Sequence, residues 1–356
     1  MKNILILILL LVGFVAASAQ FPVTKKAEPA VETSILSVQD SINTFYKELF
    51  KALKIGYLHR KTVDWKMVES ETYQRLAPYT SFKPSLNEIK SLFDKINASH
   101  CLVYRGEDKY SGTHPVIPKD RYSAQWKKKY DTKPAFEVKV LEGKYGYILV
   151  PGMVFFDNSA ENIHRVSQPL YEQIAEVKNN NTIEGWIVDL RFDTGGNSAP
   201  MLLALYDLLG DNNIWGELNV NKRPVGKYKL DNGHYIQKSK VISSITPNGH
   251  LLDKAKVAVI TGLFTGSAGE ITALAFKGRA DTRFVGEKTA GYTTGNVSWA
   301  LPFNTTMALT TGYDSDRNGI YYDYIMPDVV ISKQDNFEEL SLDGNIMESI
   351  KFINGR

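Results

Sequence analysis

A single cysteine, Cys101, serves all 356 residues. One thiol excludes an internal disulfide and a zinc site built from cysteines, so the core alone must hold the fold. An excess of one charge is lacking too: 42 Lys and Arg against 39 Asp and Glu leave a formal net charge of +3. That balance offers no electrostatic footprint for nucleic acid or a membrane surface. Phosphate-cradling motifs are absent. No Gly-x-x-x-x-Gly-Lys-Ser/Thr loop and no Gly-x-Gly-x-x-Gly fingerprint occurs, so nucleotide binding is unsupported. The six histidines are scattered without a His-x-x-x-His pair, and neither metal nor cofactor is expected. Beyond the N-terminus no apolar run is long enough to span a membrane.

The N-terminus itself is apolar. Lys2 precedes a run from Ile4 to Ala17 that ends in Ala-Ser-Ala. The run is shorter than the roughly 20 residues of a spanning helix, and its small-residue exit reads as a signal peptide, 1–19, cleaved after Ala19. No cysteine follows to take a lipid. The expected product is a soluble periplasmic or extracellular protein with no membrane span.

Residues 20–36 read as a polar, flexible leader. An N-terminal helical subdomain is expected over 37–100. There Ile42, Phe45, Tyr46, Leu49 and Leu53 recur at helical spacing, as do Ile89, Leu92, Phe93 and Ile96. Ser85 with Glu88 three residues later reads as a capping box for the second run. Residues 101–135 read as an irregular connection, 136–335 as the core and 336–356 as a C-terminal tail. Strand-like runs at 136–140, 145–150, 183–190 and 256–261 alternate with helical stretches at 161–178, 199–209 and from Ser267 to about Lys277. That alternation predicts an α/β fold with βαβ units. Residues 211–254 read as loop-rich with weak strand signals, and strands return between Asn296 and Ile331.

Four segments could carry chemistry. In Thr265-Gly-Ser-Ala-Gly-Glu270 a serine opens a helix just beyond a buried strand. Ligands bind at such strand ends, and the free N–H groups of a first helical turn suit a developing oxyanion. Ser-x-x-Glu is equally a capping box that any helix can use. Thr265 occupies the place of the first glycine of a Gly-x-Ser-x-Gly elbow, which argues against that motif's fold. In Asp189-Leu-Arg-Phe-Asp-Thr-Gly-Gly-Asn197 the paired glycines make either an ordinary turn or a close approach to a ligand. Gly286-Glu-Lys-Thr-Ala-Gly291 follows a third strand, and Ser99-His100 closes the helical region.

Taken in order with Pro327-Asp328-Val, these segments resemble the C-terminal-processing (tail-specific) serine peptidases, in their tricorn-like and retinoid-binding-protein-like branch. The resemblance covers about Tyr145 to Ile331. It implies a ClpP/crotonase-like core with Ser267 as nucleophile, and an oxyanion hole from Ala268 and the Gly195-Gly196 turn. The lysine base of the tail-specific branch is replaced by Tyr292, and Lys288 lies four residues earlier. In the tricorn-like branch the base is a histidine, here His100, held by Ser99, which a carboxylate orients. Asp323 is the expected carboxylate, with Glu287 and Asp314 as alternatives. Residues 102–135 are too few for a PDZ domain, since an independent domain needs about 50 residues. A peptide would therefore bind by strand addition along a core edge. The expected function is an exported serine peptidase acting on peptides or proteins. The alternatives are a non-catalytic relative that binds a peptide or hydrophobic ligand, and a hydrolase of another ester or amide.

Overall fold

A computed structural model describes residues 37–355; the signal peptide and leader read at 1–36 lie outside them. The most apolar runs form a six-stranded sheet. Its strands are β3 (Glu137–Leu141), β4 (Tyr145–Leu149), β5 (Gly185–Asp189), β10 (Val257–Thr261), β11 (Thr282–Gly286) and β14 (Val329–Val330), in the order β14-β11-β10-β5-β4-β3. All neighbours run parallel except the β3–β4 hairpin. Every residue of β4, β5 and β10 is buried. A parallel sheet covered on both faces requires such unbroken apolar strands.

Side chains alternate between those faces. Trp186, Val188, Val257 and Val259 pack under α6 (Ala160–Asn180), α7 (Ser198–Ala204), the short α8 (Tyr206–Leu209) and α9 (Ala268–Phe276). Ile187, Ala258 and Ile260 face the other way, against Trp126 of α5 (Ala124–Asp131) and Ile346 and Ile353 of α10 (Gly344–Ile353). Helix α10 arises from the stretch read as a tail, so Ile346 and Ile353 of that stretch contribute to this core. Its N-cap Asp343 accepts from the N–H groups of Asn345 and Ile346.

An eight-stranded antiparallel sheet forms the second layer. It runs β2 (Asp108–Ser111), β1 (Leu102–Arg105), β13 (Thr305–Ser315), β6 (Asn213–Leu218), β7 (Pro224–Asp231), β8 (His234–Gln237), β9 (Lys240–Ser244), with β12 (Thr294–Leu301) also on β13. Two expectations change here. Residues 211–254 are a four-stranded meander, and the connection 101–135 contains the β1–β2 hairpin and α5 rather than irregular chain. The stretch 199–209 breaks at Leu205 into α7 and α8.

The N-terminal helices are α1 (Val38–Gly56), α2 (Trp65–Leu76), the single turn α3 (Phe82–Ser85) and α4 (Glu88–Lys95). Their core is shared with Leu301, Met307 and Leu309 of β12 and β13. The capping box read at Ser85 does not form. Ser85 ends α3 with its hydroxyl on Phe82 O, and Glu88 accepts from Arg75 and Tyr79. Among the described residues no helix is long and apolar enough to cross a membrane.

Candidate active site

Because β5 and β10 are parallel neighbours, the two loops at their carboxyl ends emerge side by side. Thr265 ties them together: its hydroxyl donates to Leu190 O at 2.8 Å and accepts from Gly262 N at 2.9 Å. Gly266 N–H donates to Asp193 O at 3.0 Å. The threonine that broke the elbow motif thus does a different job, joining the serine loop to the double-glycine loop. Ser267 then opens α9 at φ 55° and ψ −114°, a left-handed region that costs a non-glycine residue roughly 1–3 kcal/mol. Such a posture persists only where neighbours hold it.

The chief holder is Glu270. Its buried carboxylate accepts from Ser267 N at 3.0 Å, Tyr292 N at 2.7 Å, Gly291 N at 2.8 Å and the Thr289 hydroxyl at 2.5 Å. Burial pushes this carboxyl above its ordinary range, while the four donors oppose that rise. One side chain therefore fixes the serine and fastens the Gly286–Gly291 segment to α9. The Ser-x-x-Glu cap and the third motif prove to be one assembly.

His100 arrives from the opposite layer, at the junction of the helices with β1. Its Nε2 lies 3.1 Å from Ser267 Oγ, and its Nδ1 lies 2.6 Å from Thr294 Oγ1. The neutral tautomer with hydrogen on Nδ1 satisfies both contacts, since Nε2 then accepts from the serine. Asn296, two residues into β12, holds the backbone through His100 O at 3.0 Å. Burial pulls the imidazole down to about 4, and His114 and Lys109 add repulsion.

The orienting group differs from the expected one. Ser99 and Asp323 line the same cleft as His100 and Thr294, a cavity of about 320 Å³, yet neither bonds to the imidazole among the described residues. Asp323 is exposed and engages Tyr321. Glu287 accepts from Ser332 at 2.7 Å, and Asp314 is sealed under β12 beside Gly295. A threonine hydroxyl thus stands where Ser99 and a carboxylate were expected. Thr294 lies in the Tyr-Thr-Thr-Gly run after the third motif, but nothing in one sequence marks a hydroxyl there as an imidazole partner. Tyr292, at the family's lysine position, packs its ring 5.1 Å from that of His100 and its hydroxyl against His114 at 3.1 Å. Burial raises its phenol. Lys288 lies over the ring of Tyr324 and makes no bond to Ser267.

The double glycine meets Ser267 closely. A Cβ on Gly195 would lie 2.9 Å from Ser267 Cβ, and one on Gly196 would lie 1.9 Å from Met153 O. Both glycines sit at positive φ, 113° and 116°. Gly195 N–H is already given to Asp193 Oδ1 at 3.1 Å. Of the two glycines, only Gly196 therefore keeps an N–H for a ligand, alongside that of Ala268 at the first position of α9.

Comparison with known proteins gives the family and the fold. The sequence model of peptidase family S41 matches residues 144–331. A nisin-resistance protein of Lactococcus lactis subsp. lactis is 37% identical over 153 residues, which is 42% of this chain and 46% of that protein. The chain thus spans about half the length of this curated relative. Among solved structures, a lipoprotein from Streptococcus agalactiae superposes with a TM-score of 0.65 at 21% identity, over 91% of this chain and all of its own. A photosystem II D1 C-terminal processing protease reaches a TM-score of 0.50 at 14% identity, over 82% of this chain and 93% of its own. The fold is the one these proteins share.

Proposed function

The chain belongs to peptidase family S41, and from that premise we propose that it is an exported serine peptidase using Ser267 as nucleophile and His100 as general base. The observation carrying this reading is the 3.1 Å separation of His100 Nε2 from Ser267 Oγ, within reach for proton transfer. Ser267 Oγ attacks the scissile carbonyl as its proton passes to Nε2. The N–H groups of Ala268 and Gly196 receive the oxyanion. Each such donor is worth about 2.7–4 kcal/mol in the barrier. The imidazolium then returns its proton to the leaving amine, and a water repeats the sequence on the acyl-enzyme.

The substrate is a peptide in extended conformation. Residues 153–155 are tied on one side to the double-glycine loop: Met153 N–H donates to Gly195 O at 3.1 Å, and Phe155 N–H to Asn197 Oδ1 at 2.9 Å. Val154 and Phe156 are 70% and 66% exposed. Phe156 reaches Tyr104 of β1 at 5.4 Å between rings. This apolar wall beside the reacting serine supports strand addition by a peptide with apolar side chains. Export rests on the N-terminal 19 residues, and the similarity to a lipoprotein agrees with a place at the cell envelope.

A fluorophosphonate that reacts with activated serines tests the reading. The expected adduct is on Ser267 and is abolished in Ser267→Ala. A second reading, a non-catalytic peptide carrier, is favoured by the missing carboxylate on His100 Nδ1; a properly folded wild-type chain that takes no label would establish it.

A further inference from the structure

Asp193 is a buried acid for which the proton transfer above has no use. It is 0% exposed. Its Oδ1 accepts from Gly195 N–H at 3.1 Å, while its Oδ2 has no partner among the described residues. Its backbone is equally committed. The N–H donates to Leu190 O at 2.9 Å and the carbonyl accepts from Gly266 N–H at 3.0 Å. Gly269, in the first turn of α9, approaches so closely that a Cβ there would stand 2.8 Å from Asp193 Cγ. The carboxyl is therefore wedged between the double-glycine turn and the helix that carries the nucleophile.

An ionised carboxylate with one oxygen unpartnered in the interior is costly, whereas a neutral acid needs far less. The surrounding charges point the same way. From α9 the group facing Asp193 is Glu270, also acidic. From the loop 262–266 no titratable group faces it. On its own segment Arg191 spends its guanidinium on Asp189, Asp335 and Asp343. His100 connects to this cluster through Ser267. The partial positive charge at the start of α9 is already taken up by Glu270, which accepts from Ser267 N. Burial and Glu270 together push the Asp193 carboxyl well above its ordinary value.

We propose that Asp193 is a positioning residue for the oxyanion hole, which holds the Gly195–Gly196 turn as a neutral acid. By taking the Gly195 N–H it leaves that of Gly196 to serve the oxyanion. Ionisation would place a second negative charge beside Glu270 and close to the forming oxyanion, opposing the reaction. Activity should therefore fall on the alkaline side as Asp193 loses its proton. This inference rests on Ser267 as nucleophile.

Two readouts on the full chain test it. In the first, fluorophosphonate labelling of Ser267 is timed across pH. Asp193→Ala should label about 10²-fold more slowly than wild type, as expected for a misplaced reacting geometry. Asp193→Asn keeps a neutral acceptor for Gly195, so it should recover about tenfold or more of that loss and lack the alkaline fall. Labelling of Asp193→Asn as slow as that of Asp193→Ala, or an unchanged alkaline fall, would overturn the proposal. The second readout is denaturant stability in a Ser267→Ala background, which requires no reactivity. The folded acid keeps its proton above the unfolded value of about 3.9, so stability drains as pH rises through that window. Asp193→Asn should gain on Asp193 over the same range; parallel profiles would overturn the neutral state. If wild type takes no label at any pH, the reading of Ser267 fails, while these profiles still decide the state of Asp193.

Discussion

His100 reaches Ser267 with one nitrogen and a threonine hydroxyl with the other. A carboxylate in that second place would stabilise the imidazolium by charge, whereas Thr294 can fix only the tautomer and the ring angle. Thr294→Val, close in shape, should lower kcat about tenfold to a hundredfold with little change in KM, because general-base catalysis contributes about 10²–10⁴-fold in all. Steady-state kinetics on a peptide substrate measure this. The acid limb of kcat/KM should lie near 4, below the ordinary imidazole value of about 6.5. The sign follows from burial: the neutral ring is the active form, and activity is lost as pH falls through the depressed value. Stability follows the same direction, since the unfolded chain binds a proton at His100 before the folded one does. At this scale the sequence singled out Ser267 and His100, because each sits in a motif of fixed order, and the structure brings them within 3.1 Å. Thr294 and Asp193 stayed hidden, since their roles depend on which strands become neighbours.

Among the elements, α9 and the Gly286–Gly291 segment are joined through Glu270. A glutamate three residues after a serine signals a helix cap, and the structure keeps that bond while adding three donors from elsewhere. Glu270→Gln replaces an acceptor oxygen with an amide that faces N–H groups. Urea unfolding should show a loss of roughly 1–3 kcal/mol for the unsatisfied buried groups, and kcat should fall because Ser267 is no longer held at its strained φ. The elements most readable beforehand were β4, β5 and β10, whose uninterrupted apolar runs need no context. The meander β6–β9 was harder to see. Its strands mix buried residues such as Ile214, Tyr228 and Tyr235 with a buried glycine, Gly216, and exposed Val225, Lys227 and Lys240, so alternation is diluted. The β1–β2 hairpin is shorter still, with four residues per strand, those of β2 mostly polar. Helix α10 is ten residues long, and its partners on β5 and β10 lie far back in sequence.

In the whole molecule, the parallel layer carries Ser267, the proposed nucleophile, with the N–H groups of Gly196 and Ala268, while His100, the proposed base, comes from the helical and antiparallel layer. The two side chains are 167 positions apart. The order of short motifs made that convergence readable in advance; the group behind the imidazole could not be read, because it depends on how β12 meets the end of the helical region. If Ser267 and His100 act as one unit, their substitutions cannot be additive. The most direct measurement is therefore the kcat of Ser267→Ala, His100→Ala and the double variant on one peptide substrate. The account predicts that each single change costs orders of magnitude and that the double variant loses no more than the worse single one. Full additivity of the two losses, or a His100→Ala variant with wild-type kcat, would contradict it.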